Sequence, residues 1–267
     1  AIYHFIRAYF KCTPKEAIER MKQYIGYTGD LSSRDTPSII NVLKRYSKRN
    51  GGSKSSVAKV LQDDYMFRYE NRSDKLAIWE SEGISKESLE KFQVRYDSLA
   101  DRIVYPIRNL EGKIVNVGAR TVDPNWKEKG FKKYIYYFSW GTINTIYGVS
   151  ENAQAINSTR EIILFEGCKS VLLADTWGIH NTGAILTSHL SKNQMMILAK
   201  LGYNVVFALD KDIDIHNDKN IQKLKQYVNV YYLFDKDNLL GEKDAPVDKG
   251  EEVFRRLYES KVRLFGR

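Results

Sequence analysis

The sequence is poor in the residues that build disulfide frameworks and soft-metal sites. Its 267 residues include four histidines and two cysteines; Cys12 and Cys168 lie far apart and belong to no CxxC pair. That scarcity argues against a four-ligand zinc site within this chain. Two thiols without a framework fit a reducing compartment, so the expected location is the cytoplasm. No apolar run approaches the ~20 residues needed to span a bilayer, and no charged-then-apolar leader opens the sequence, so no membrane partner is expected. Long internal repeats and extended low-complexity tracts are also missing. Position 1 is Ala within a patterned segment; the chain reads as an excised fragment, or as one that has lost its initiator methionine.

What is present is ordinary for a globular chain: 43% hydrophobic and 28% charged residues, enough for one large or two modest domains. The net charge of +9 and a pI near 9.3 favour polyanionic partners, because each neutralised phosphate releases counterions. Solubility alone would also account for the charge, so its distribution matters more than its sum.

The first part reads as helical. Ile2, Phe5, Ile6 and Tyr9 recur at helical spacing, Thr13-Pro14-Lys15-Glu16 supplies a cap, an N1 proline and a capping-box glutamate, and Ala17, Met21, Tyr24 and Ile25 continue the stripe. A further helix is expected over 38–49, followed by the linker Asn50-Gly51-Gly52-Ser53-Lys54-Ser55-Ser56. A short helix is expected over 86–92. Strand signals then dominate from 102 to 147, with a hairpin around Asn109-Leu110-Glu111-Gly112-Lys113. From Glu161 onward, apolar runs at 162–165, 205–209 and 228–234 look like strands buried on both faces, separated by helical patterns. Ser191 with Gln194 forms a capping box, and Gly202 falls at a helix C-terminus. Strands alternating with helices predict a parallel α/β sheet preceded by a smaller mixed helical and antiparallel part. The expected boundaries are 1–56, 57–158 and 159–267.

Function in such sheets gathers at strand carboxyl ends, and three of the expected strands run into acids: Glu166, then Asp210-Lys211-Asp212, then Asp235-Lys236-Asp237. Residues two apart on an extended chain face the same side, so Asp210 and Asp212 can serve one site. Carboxylates converging without imidazole or thiolate need a hard cation to neutralise them; Mg²⁺ or Mn²⁺ suits such a set and the phosphoryl chemistry it supports. Acids that simply cap strand and helix ends are the bland alternative.

Glu166-Gly167 after one strand and Asp210-Lys211-Asp212 after another resemble the TOPRIM domain of primases, topoisomerases and certain nucleases. The upstream series Gly83-Ile84-Ser85, Arg102-Ile103-Val104-Tyr105-Pro106-Ile107, Gly112, Val117-Gly118-Ala119-Arg120, Lys133-Tyr134 and Ile146-Tyr147-Gly148 is similar to the segment preceding TOPRIM in bacterial and phage DnaG-type primases. The resemblance covers roughly 78–258. It implies an RNA-polymerising catalytic core with Glu166, Asp210 and Asp212 as catalytic, metal-holding residues. A single-stranded DNA template, ribonucleoside triphosphates, an RNA primer and a replicative helicase are the implied partners. Residues 1–25 resemble the helical stretch that follows a zinc-binding module, so zinc would belong to a missing N-terminal module rather than to this chain. Lys243-Asp244-Ala245-Pro246-Val247-Asp248 resembles phage-type third acidic motifs, making Asp244 and Asp248 candidates in competition with Asp235 and Asp237. The sequence departs from the family at Ser170, where an acid is common, and at Ile213-Asp214, where small residues are.

Cations and rings interleave from Trp126 to Phe138. Tyr134, Tyr136 and Phe138, on alternate positions, are expected in a core. Arg102, Arg120, Lys132 and Lys133 are expected on nucleic acid, Arg120 and Lys133 by their resemblance to template-groove positions. The 44–49 cluster fits either DNA contact or a solvated helix end. His180 and His189 are expected to serve structure, and His216 a loop or cap. A TOPRIM nuclease and a non-catalytic DNA-binding scaffold with a degenerate TOPRIM are the rival readings.

Overall fold

The computed structural model describes residues 60–265 except 72 and 139–144, together with Ile6, Tyr9, Phe10, Cys12, Thr13, Glu16 and Arg20. The chain divides into two compact units, Ala1–Lys54 and Ser55–Arg267. In the first, the expected capping box is formed: the Thr13 amide and hydroxyl donate to Glu16 Oε2 at 2.7 and 2.9 Å, and the Glu16 amide donates back at 3.4 Å. The expected helix 38–49, its basic cluster at 44–49 and the linker 50–56 lie outside the described residues.

The second unit opens with a 3-10 turn, Tyr65–Arg68, and helices α1 (Ser73–Ser81) and α2 (Lys86–Lys91). Ser85 caps α2 by accepting from the Ser88 amide. Strands β1 (Arg95–Asp97), β2 (Arg102–Arg108), β3 (Ile114–Thr121) and β4 (Tyr134–Tyr136) form an antiparallel sheet in that order. The hairpin lies where the turn residues placed it. Asn109 N–H bonds the Lys113 carbonyl at 2.9 Å, the Asn109 side chain accepts from the amides of Glu111 and Lys113, and Gly112 takes φ +77°. Pro106 is tolerated in β2 because β1 pairs only with 102–104, leaving that side of the strand without a ladder to break. Gly118 is required by packing. A Cβ there would stand 2.3 Å from the ring of buried Tyr105.

The remaining elements alternate: α3 (Ala153–Thr159), β5 (Glu161–Phe165), α4 (Cys168–Thr176), β6 (Thr182–Ala184), α5 (Lys192–Leu201), β7 (Asn204–Phe207), α6 (Lys219–Leu224), β8 (Val230–Tyr232), α7 (Glu251–Glu259) and β9 (Val262–Arg263). The sheet order is β6-β5-β7-β8-β9, parallel throughout except for the antiparallel edge β9. Both arms of the Ser191/Gln194 capping box are made, and Gly202 ends α5 at φ +70°.

β5 shows why a near-continuous apolar run is a strand here. Ile163 and Phe165 enter one core with Trp79, Phe92, Tyr105, Tyr147, Val171 and Phe254, while Ile162 and Leu164 enter another with Leu198, Phe207 and Val230. The 228–234 run is corrected: β8 is three residues long, and only Val230 in it is fully buried. It lies beside a two-residue edge strand, so Tyr231 and Tyr232 keep part of their rings in water. The expectation for the aromatic strand holds in part: Tyr136 packs, partly buried, against the main core, and Phe138, partly buried, meets the Tyr65 ring, whereas Tyr134 is exposed at the sheet edge.

Polar groups lock α2 to α4. Buried Asp175 accepts from Ser88 Oγ at 2.7 Å and Lys91 Nζ at 2.5 Å, and pairs with His180 Nδ1 at 2.7 Å; His180 is structural, as expected. Among the described residues, no helix is long and apolar enough to cross a membrane.

Candidate active site and nucleic-acid interface

β5 and β7 are parallel neighbours in register, Leu164 opposite Phe207, and the pairing runs on through the Ala208 amide to the Leu164 carbonyl at 2.8 Å. Glu166 and Asp210 therefore emerge at the same edge of adjacent strands, which stand about 4.8 Å apart. A third segment is stitched to this edge by the Lys211 amide, which donates to the Asp244 carbonyl at 3.1 Å. The acids feel one another. Partial burial first, then the charges of Glu166, Asp248, Asp212 and Asp244, push the Asp210 carboxyl up to about 7. Burial and then Asp212 raise Glu166, against a lowering contribution from His189.

The two candidate pairs for the third acidic motif have different surroundings. Asp235 accepts from Lys211 Nζ at 2.9 Å and from the amides of Leu239 and Leu240. Burial would raise it, but these bonds outweigh burial and hold it below the usual carboxylate range. Asp237 pairs with Arg256 at 2.6 Å. Both acids are occupied in fastening loops, whereas Asp244 and Asp248 act on Asp210. Asp244 also pairs with Lys249 at 3.0 Å, and Asp248 accepts from the Ala245 amide at 2.9 Å.

Among the described residues, no three Asp, Glu, His or Cys side chains already stand close enough to share an ion. The expected convergence is an electrostatic neighbourhood rather than a closed coordination shell. The donor set still suits a hard cation, because Mg²⁺ uses one or two carboxylates, keeps several waters and takes its remaining ligands from substrate phosphates. Beside Asp210 opens a cavity of about 280 Å³, lined also by Lys211, His216, Tyr232 and Phe234; the His216 and Tyr232 rings meet edge to face at 5.3 Å. Ser170, where the family commonly has an acid, is buried in α4.

The cations separate into two groups. Arg120 and Tyr134 are cross-strand partners. Partial burial of its amine, then Arg120 and Lys169, lower Lys133, while Glu82 and Asp248 pull the other way. Asp248 thus acts on both Lys133 and Asp210, joining the basic group to the acids. Arg102 pairs with Thr121, the neighbour of Arg120, and so lies on the opposite face of the sheet. Its guanidinium donates to the Lys132 carbonyl at 3.2 Å. The charge of Arg120 is felt at the Lys133 amine, whereas Arg102 is engaged with the Lys132 carbonyl, and Lys132 is exposed. Lys169, three residues after Glu166, escaped the sequence reading. In the sequence it is only a lone cation three residues after the motif glutamate.

No family model matches the chain. It is 30% identical over 215 residues to the SPbeta prophage-derived protein YorJ of Bacillus subtilis, covering 70% of this chain and 57% of YorJ. It is 27% identical over 214 residues to the DNA primase of Borreliella burgdorferi, covering 72% and 39%. The chain thus spans about half or less of the length of these curated relatives. Among solved structures, the zinc-binding and RNA polymerase domains of the Aquifex aeolicus primase match with a TM-score of 0.61 at 20% identity, over 98% of this chain and 70% of that one. A DnaG primase catalytic domain bound to single-stranded DNA matches with a TM-score of 0.58 at 16% identity, over 75% and 77%. The fold is that of these primase catalytic cores.

Proposed function

We propose that this chain, similar in sequence and fold to bacterial DnaG-type primase catalytic cores, joins ribonucleotides into short RNA primers on a single-stranded DNA template. The observation that carries this reading is Asp210, half-buried at the carboxyl end of a parallel strand and raised by burial and by four neighbouring carboxylates. A site of that kind is costly to a fold and suited to binding a cation.

Glu166, Asp210 and Asp212 are the residues we assign to hold Mg²⁺ or Mn²⁺, with Asp244 and Asp248 supporting them. When bound, the cation supplies charge neutralisation for the attacking 3′-oxygen and the leaving pyrophosphate. The carboxylates fix where positive charge is presented, and Arg120 and Lys133 hold phosphates alongside, so the reacting groups meet at a set distance and angle. Ring faces on the β4 rim offer stacking surfaces to unpaired bases. In this division, residues 57–158 carry the groove and residues 159–267 carry the acids.

The test is primer synthesis on single-stranded template with labelled ribonucleotides and Mg²⁺, with a zinc-binding module supplied in trans. Short RNA products that vanish in Asp210→Ala and Asp212→Ala are expected. Template nicking without nucleotide use would establish a nuclease instead. DNA binding with neither activity would favour the scaffold reading.

A further inference from the structure

We propose that Lys169 joins Arg120 and Lys133 in a phosphate-binding site that Glu82 occupies as a built-in competitor, to be displaced by a phosphate of nucleotide or template. The inference deepens the proposed function and rests on it. It is drawn from an ion cluster that no single stretch of sequence reveals.

Glu82 lies between α1 and α2, Arg120 on β3 and Lys169 at the start of α4. Lys169 Nζ stands 2.6 Å from Glu82 Oε2, and Arg120 Nη2 stands 3.4 Å from Glu82 Oε1. These are not freely solvated pairs: the Arg120, Glu82 and Lys169 side chains are 15%, 29% and 30% exposed. Lys133 completes the group, since both Arg120 and Lys169 act on its amine. Lys169 and Arg120 thus share one carboxylate, and Lys133 lies near enough to feel both it and Asp248.

The pairing leaves one buried donor over and one acceptor met only by a poorly aligned ammonium. Arg120 Nε is buried with no acceptor, and Glu82 Oε2 is buried without a well-aligned hydrogen bond although an ammonium is close by. A guanidinium offers five donors in a planar fork; here Glu82 at 3.4 Å and the Tyr134 hydroxyl are its partners, which leaves donors over. A phosphate brings more oxygens and up to twice the charge, so it matches the cluster better than Glu82 does. Glu82 stands at the chain turn before Gly83, and its partial exposure gives the displaced carboxylate a route to water. Lys169 follows Glu166 by three residues, so a phosphate held here lies next to the acids.

Binding is measured in EDTA, so that the carboxylates contribute no metal-mediated contact, with two probes: ATP alone, and a fluorescent single-stranded oligothymidylate. Glu82→Gln keeps the shape and removes the competing charge; it should tighten binding by about five- to tenfold, roughly one ion pair. Lys169→Ala should weaken binding by a similar factor and reduce the salt slope for DNA by about one. Lys169→Arg should retain affinity, and the gain from Glu82→Gln should shrink in the Lys169→Ala background. A gain with ATP only assigns the site to the nucleotide, and with the oligonucleotide only, to the template. Unchanged affinity for both probes in Glu82→Gln overturns the proposal, as does wild-type binding by Lys169→Ala. A protein that responds as expected here but makes no primers would refute the polymerase reading and leave this site standing.

Discussion

Asp210 is the residue whose chemistry commits the site most strongly. Its carboxyl, raised to about 7 by burial and neighbouring acids, stays protonated in the folded state between about pH 4 and 7, where the unfolded chain has released its proton. Folding stability without metal should therefore fall as pH rises through that window. Cation binding requires the ionised form, so affinity for Mn²⁺ should climb by roughly tenfold per pH unit up to about 7 and then level off. Titrations at pH 5.5, 6.5, 7.5 and 8.5 check this; a flat profile would remove Asp210 from the ligand set. Glu166, Asp210 and Asp212 were readable in the sequence because each follows an apolar run at a strand end. Lys169 was not readable, because its partners Glu82 and Arg120 come from segments tens of residues away.

At the scale of elements, local signals with their own hydrogen-bond logic were the most legible. The Thr13/Glu16 and Ser191/Gln194 boxes, the Gly202 terminus and the turn at 109–113 each satisfy donors or acceptors within a few residues. Replacing Ser191 by Ala should cost about 1 kcal/mol, read from denaturant midpoints. Strand lengths were less legible: β8 is cut short by its place near the sheet edge, a tertiary fact that apolarity does not encode. The joint between α2 and α4 was likewise invisible, because Ser88 and Asp175 are 87 residues apart. Burial would raise Asp175, but Lys91, Ser88 and His180 outweigh it and hold its carboxyl below the usual range. Its stabilising contribution is thus present above the unfolded pKa and lost as pH falls through the folded one. Asp175→Asn should lower stability at neutral pH by about 1–3 kcal/mol and reduce the difference from wild type in acid. Equal gaps at pH 7 and pH 3 would contradict this.

For the molecule as a whole, the ordered motifs from Gly83 to Asp212 were a stronger guide than composition. A charge of +9 says only that polyanions are welcome. The fold turns that charge into a layout. Arg120 on β3 and Lys169 on α4 meet at Glu82 with Lys133, just before β4, nearby; β5 and β7 lead into acids at their carboxyl ends, and Asp248 acts on Lys133 and Asp210. The most direct measurement is Mn²⁺ binding at pH 8, followed by electron paramagnetic resonance in wild type, Glu166→Gln, Asp210→Asn and Asp212→Asn. If the three acids serve one ion-holding site, each variant alone should weaken the same binding event by about tenfold or more, and pairs of variants should lose less than the sum of the singles. Wild-type Mn²⁺ affinity in Glu166→Gln, with binding abolished in Asp210→Asn, would show that the two strand ends do not share a cation.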